Sequence, residues 1–162
     1  MHQNIAILGV TVGVALSSSI GLANEPTVKQ LKKARTEIEV DGAILSLEGR
    51  VWRESPPGSS AGDAPLQVAL KLKTGGNKRF PVGLKVTKVW LVLKNEVWSP
   101  TEHTDQVAPT EPGQPSTAMS ILATNGPKWK LGAKVMCVVQ METTDGGEGM
   151  LKVGGVAIGS TR

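Results

Sequence analysis

Residue types that form disulfides, bind metals or stack on ligands are scarce in this chain. Its 162 residues include one cysteine, two histidines, one phenylalanine and no tyrosine. A single cysteine excludes an intrachain disulfide framework and a thiolate zinc site within one chain. Two histidines exclude most histidine-based metal clusters. We therefore expect no cofactor and no metal site.

The remaining composition is that of one folded domain. Hydrophobic residues make up 40% and charged residues 20% of the chain, and 18 basic against 14 acidic residues give a net charge of +4. Such a balance is typical of globular proteins and not of disordered ones. The 19 glycines and 10 prolines favour many short strands joined by turns.

The N-terminal segment has the pattern of an export signal. Residues 5–16 form an apolar run, and Gly21 and Ala23 place small residues before an expected cleavage between Ala23 and Asn24. An uncleaved transmembrane anchor is the alternative, but a span needs about 20 apolar residues and this run is shorter. We expect residues 1–23 to be a signal peptide, no transmembrane span after cleavage, and a periplasmic or secreted protein.

Residues 24–36 follow as a basic lead-in segment. We interpret the segment as an ordered lead-in or a single helical turn, and a basic arm that binds an anion is the alternative. Its basic residues are Lys29, Lys32, Lys33 and Arg35.

The rest of the chain, residues 37–162, is predicted to fold as antiparallel strands. Asp41-Gly42 is typical of a type I′ hairpin turn, because both central positions need positive φ. Apolar and charged residues alternate on both arms of this hairpin, which indicates a half-buried pair. The inward residues are Ile38, Val40, Ala43, Leu45, Leu47 and Val51.

Further strands are separated by two long loops. Residues 66–73, 84–94, 117–124, 133–142 and 150–158 show strand alternation, with a bulge expected near Thr87-Lys88. Residues 53–65 and 99–116 are rich in proline, glycine and serine and are predicted to be loops. The turn Asn125-Gly126-Pro127 is followed by Trp129, which we expect to close one end of the core. We expect seven or eight strands with purely antiparallel pairing.

This pattern resembles a bacterial secreted immunoglobulin-like or fibronectin type III-like β-sandwich. The resemblance covers residues 37–158 and is carried most by the stretch WKLGAKVMCVVQMETTDGGEGML, where a Trp, an alternating strand, an Asp-Gly turn and a closing strand follow in order. Antibody-type domains have a cysteine pair and a corner tyrosine. One cysteine and no tyrosine exclude that branch and leave the generic sandwich.

One alternative function is a small exported hydrolase. Residues 58–62 read GSSAG and match G-x-S-x-G, with Ser60 as the nucleophile. His103 would be the base, and Asp63 or Asp105 the acid. The motif needs a strand before it and a helix after it, whereas prolines flank this one.

A second alternative is a periplasmic copper-binding sandwich. Soft sulfur ligands select Cu(I), but methionine and cysteine on an inward strand face are more often core residues. The candidate ligands are Met119, Met136, Met141, Met150, Cys137 and His103.

The predicted binding residues come from charge and tryptophan placement. Residues 66–95 contain seven basic residues and no acid, and each predicted long loop follows a tryptophan. A basic face attracts acidic partners, although strand lysines also protect a sheet from aggregation. The candidate residues are Trp52, Lys71, Lys73, Lys78, Arg79 and Trp98.

The sequence therefore predicts an exported, non-catalytic binding or structural module of the bacterial envelope. Its expected partner is another envelope or extracellular protein or an acidic surface. Few aromatic residues are available for base stacking, so nucleic acid is not the expected partner. No P-loop, dinucleotide-binding fingerprint, EF-hand loop or zinc spacing is present in the sequence.

Overall fold

The computed structural model describes residues 24–59 and 63–161, so the expected signal peptide and Ser60 lie outside the described residues. The described chain contains one short helix, α1 (Val28–Lys32), a 3₁₀ turn (Gly75–Asn77) and nine strands. The strands are β1 (Glu37–Val40), β2 (Ala43–Glu54), β3 (Leu66–Thr74), β4 (Lys85–Leu93), β5 (Glu96–Trp98), β6 (Thr104–Val107), β7 (Ala118–Gly126), β8 (Lys134–Glu142) and β9 (Glu148–Thr161).

The fold is all-β, as the sequence predicted, but its strand pairing is mixed. The strands follow the order β5-β4-β8-β9-β2-β3-β7-β6, and β1 pairs with β2. β9 is antiparallel to β8, but its last residues run parallel to β2, from Val51↔Ile158 to Glu54↔Thr161. The predictions of purely antiparallel pairing and of seven or eight strands are therefore wrong. The parallel contact forms because β9 extends past the start of β8, and it makes the sheet curl into a half-barrel.

Local sequence signals predicted two features of the backbone correctly. Asp41 and Gly42 both have positive φ, at 50° and 73°, and Val40 pairs with Ala43 across the turn. The register between β4 and β8 shifts between Val86 and Lys88, which confirms the predicted bulge.

Both predicted long loops are shorter in the structure. Residues 104–107 of the second loop form β6, whose four exposed residues pair with β7. Because β6 buries no side chain, it has no apolar alternation. Backbone pairing with β7 and a hydrogen bond from the Val86 N–H to the Asp105 carboxylate hold this strand. In the first loop, β2 continues to Glu54 and Arg53 is buried. Asn125 and Gly126, predicted as a turn, end β7.

Two apolar clusters lie on opposite faces of the β4-β8 half of the sheet. The main core fills the inside of the curled sheet and includes Trp129, as predicted. A second cluster on the outer face contains Leu31, Ala34, Trp90, Val92 and Val138, and α1 covers it. No helix among the described residues is both long and apolar enough to span a bilayer.

Candidate binding face

The outer side of the β2-β3-β7 sheet carries three of the sequence-predicted binding residues. Inward residues of these strands, such as Val51, Leu70 and Leu72, are buried in the main core. Trp52, Lys71 and Lys73 alternate with them and therefore face outward.

A shallow apolar hollow of about 300 Å³ lies on this outer side. Its floor is Ala69 and Leu122, which are cross-strand neighbours, and 50% of Leu122 is exposed. Arg50, opposite Ala69, and Lys71, opposite Ser120, stand beside it. Glu48, opposite Lys71, also lines the hollow. We call Glu48, Arg50, Trp52, Ala69, Lys71, Ser120 and Leu122 the binding face.

Charge on the binding face is mainly positive. Lys73 pairs with Glu48, and both side chains are partly exposed, so this ion pair offsets the charge of Glu48. The Arg50 guanidinium lies 5.2 Å from the Trp52 ring centroid, a cation–π distance. This stacking holds the guanidinium beside the hollow. Arg50 and Lys71 can therefore attract carboxylates next to an apolar surface.

The other three predicted binding residues lie elsewhere. Lys78 and Arg79 are exposed after the 3₁₀ turn, and Lys78 Nζ donates to the Gly42 carbonyl at 2.8 Å. Trp98 is half-buried and packs against the main core. The structure therefore does not bring Trp52 and Trp98 together on one surface.

Sequence reasoning missed Arg50 and Leu122. Arg50 precedes Trp52 by two residues in an alternating strand, so the shared face was visible in the sequence. Leu122 was not identifiable, because its exposure depends on where the edge strand β6 lies.

Two of the residues proposed for hydrolysis, His103 and Asp105, bond to the edge of β4. His103 Nε2 donates to the Val86 carbonyl at 2.9 Å, and Asp105 Oδ2 accepts the Val86 N–H at 3.1 Å. These bonds fix the backbone of β4 at its bulge.

The candidate copper ligands are distributed over both apolar clusters. Cys137, Met119 and Met141 are buried in the main core, whereas Met136 and Met150 pack against the second cluster. Burial raises the pKa of the Cys137 thiol to about 12, which disfavours the thiolate that binds metals. In residues 24–59 and 63–161, no group of three or more His, Cys, Asp or Glu residues is arranged to hold a metal ion.

Comparisons with protein-family models, curated proteins and solved structures give no match for this chain.

Proposed function

We propose that this protein is an exported, non-catalytic binding module of the bacterial envelope, with an immunoglobulin-like arrangement of strands. Its partner is an envelope or extracellular protein that presents carboxylates around an apolar side chain. The observation that carries the proposal is the apolar hollow between Arg50 and Lys71 on an otherwise polar sheet face.

The strand order supports the immunoglobulin-like arrangement. In that fold, strands A, B, E and D form one layer and strands C, F and G form the other. If β5 is set aside as an extra edge strand beside β4, the strands from β2 to β9 can be lettered A to G in chain order. The neighbours β2-β3-β7-β6 then correspond to A-B-E-D, and β4-β8-β9 correspond to C-F-G. The parallel β2-β9 contact then joins the two layers along one side.

The chemistry of the binding face favours an acidic protein partner. Leu122 offers apolar area to a partner side chain, while Arg50 and Lys71 offer two cations within the same hollow. Arginine and tryptophan are also enriched among the residues that dominate binding energy at protein interfaces. Opposite charges across an interface increase the association rate and exclude wrong partners.

Charge reversal on the binding face tests this proposal. Wild-type protein, the variant Arg50→Glu/Lys71→Glu and the control Lys128→Glu/Lys130→Glu are used to capture partners from native envelopes. The control changes the net charge equally at exposed lysines outside the binding face. We expect a protein that wild type and control both retain and that the binding-face variant retains at least tenfold less.

Equal capture by all three proteins would exclude the binding face as the site. A fluorophosphonate label on Ser60 would instead support the hydrolase alternative. Circular dichroism of each variant separates lost binding from lost folding.

Export is tested separately by mass spectrometry of the protein isolated from its native host. We expect an N-terminus at Asn24 in the periplasmic or extracellular fraction. An intact Met1 in the membrane fraction would contradict this expectation.

A further inference from the structure

The outer face of the β4-β8-β9 sheet is apolar where alternation would place it against solvent. Trp90, Val92 and Val138 project from this face, yet none is more than 4% exposed. They are covered by residues 24–35, which we call the strap. The inner faces of the same strands belong to the main core, so the strap closes a separate cluster.

Hydrogen bonds within the strap fix the start of α1. Thr27 Oγ1 accepts the Gln30 N–H at 3.3 Å, and Gln30 Oε1 accepts the Thr27 N–H at 2.8 Å. This capping box satisfies N–H groups that would otherwise lack partners at the start of α1. It presents Leu31 on the face of α1 that packs against the sheet, where Leu31 is fully buried.

Polar contacts hold both ends of the strap. At one end, the Glu25 carboxylate accepts Trp90 Nε1–H at 3.0 Å and Lys88 Nζ–H at 3.1 Å. At the other, the Arg35 backbone makes a short parallel bridge with β9, bonding to Met150 at 3.2 Å and Lys152 at 2.8 Å. Along the strap from its N-terminal end, the sheet thus binds the carboxylate of Glu25, the side chain of Leu31 and the extended backbone of Arg35.

The strap is separate from the elements that form the main core. Thr36 alone lies between the strap and β1, and β1 is held independently by its pairing with β2. Leu31 and Ala34 belong only to the second cluster. The strap can therefore leave the sheet without opening the main core.

We propose that the outer face of the β4-β8-β9 sheet is a peptide-binding groove, and that the strap of a second copy can fill it by exchange. A second copy supplies the carboxylate, leucine and backbone at the same spacing. Exchange of an identical element costs little because the contacts in the two states are the same. This inference does not depend on the proposed binding face.

Disulfide trapping between copies tests the exchange. One chain carries Glu25→Cys and the other carries Lys88→Cys, and the two are mixed and oxidised. Because Cys137 is buried, it does not compete for the new thiols. The control pairs Glu25→Cys with Lys128→Cys, an exposed lysine outside both the groove and the binding face.

We expect at least tenfold more covalent heterodimer from the Lys88→Cys mixture than from the control. Equal yields would contradict exchange. The double variant Glu25→Cys/Lys88→Cys in one chain shows whether the two positions can form a bond.

Peptide binding provides a second, independent test. A fluorescent peptide of residues 24–36 is titrated into the full chain carrying Leu31→Asp, whose own strap cannot bury a charge. We expect binding at least tenfold tighter than that of the same peptide carrying Leu31→Asp. Equal binding of both peptides would exclude a groove that recognises the leucine. If the Leu31→Asp chain does not fold, the disulfide yields decide alone.

Discussion

At the residue scale, Arg53 is the one buried side chain of charged or polar type among the described residues. Its Nε donates to the Ala64 carbonyl at 2.8 Å, and Nη1 donates to the Trp129 carbonyl at 3.2 Å. The guanidinium thus connects β2 to the segments that precede β3 and β8, at one end of the core.

Replacing Arg53 should therefore destabilise the protein more than replacing an exposed arginine. We expect Arg53→Met to lower the free energy of unfolding by about 1–3 kcal/mol, because buried carbonyls lose their donors. The control Arg79→Met removes an exposed arginine after the 3₁₀ turn and should change the free energy of unfolding by less than about 0.5 kcal/mol. Urea unfolding measures both, and equal effects would contradict a structural role for Arg53.

The reactivity of the buried Cys137 thiol measures how often the main core opens. Burial raises the pKa of its thiol to about 12, so almost no reactive thiolate exists near neutral pH. We expect native protein to react with a thiol reagent only as fast as it opens, and unfolded protein to react at once. Rapid labelling of the native protein at pH 8 would contradict the packing of β8.

At the element scale, side chains bond to the part of the β4 edge that has no neighbouring strand. β5 pairs only with Leu91–Leu93 of β4. Closer to the start of β4, Ser99 Oγ donates to the Val89 carbonyl at 2.8 Å, and His103 and Asp105 bond to Val86. These contacts occupy backbone groups through which an exposed edge could pair with another chain.

Removing these contacts should promote association between chains. We expect His103→Ala/Asp105→Ala to aggregate faster than wild type on mild heating, because the Val86 backbone groups become available. Light scattering measures the rate, and Glu102→Ala, an exposed residue in the same loop, is the control. If both variants aggregate at the wild-type rate, the edge does not need this protection.

The strap contact of Glu25 should depend on pH. Hydrogen bonds from Trp90 and Lys88 lower the pKa of the Glu25 carboxyl below its ordinary value. Because the pKa of Glu25 is lower in the folded than in the unfolded protein, the ionised carboxylate stabilises the fold. This stabilisation is complete at pH values above the unfolded-state pKa of about 4.3, and it is lost as pH falls through the folded-state pKa. We expect the Trp90 indole N–H resonance to shift over this acidic range, and to stay constant in Glu25→Gln. An unchanged titration in that variant would assign the shift to another group.

The sequence predicted those elements whose structure is determined by neighbouring residues, and it did not predict those that depend on distant strand partners. The β1-β2 hairpin follows from Asp41-Gly42 and from alternation on its two arms, and β8 follows from its own alternation. β6 and the parallel end of β9 depend on partners distant in sequence, so their residues carry little local signal. For residues 24–36 the sequence predicted an ordered lead-in or a single helical turn, and α1 is such a turn. The surface that Leu31 covers could not be predicted, because it is built from β4, β8 and β9.

The binding face was predictable in part for the same reason. Trp52, Lys71 and Lys73 follow from strand alternation, which fixes the side to which each residue points. The neighbouring positions of Ala69 and Leu122 depend on the pairing of β3 with β7. That pairing joins segments about 50 residues apart, and no short-range pattern specifies it.

At the scale of the whole molecule, the two clusters imply two levels of stability. β8 lies between β4 and β9 and buries side chains on both faces, with Cys137 and Val139 inward and Val138 outward. β6 has a single strand neighbour and four exposed residues. The strap packs on one face only and is outside the main core.

Native-state hydrogen exchange should therefore separate these elements. We expect amides of β8 to exchange slowest, at the rate set by global unfolding, and amides of the strap and β6 to exchange faster through local opening. The difference should be on the order of 100-fold, since the strap can leave without exposing the main core. Mass spectrometry of peptic fragments measures all three regions in one experiment. Equal rates for the strap and β8 would mean that the strap opens only with the whole fold, which would also contradict its exchange between copies.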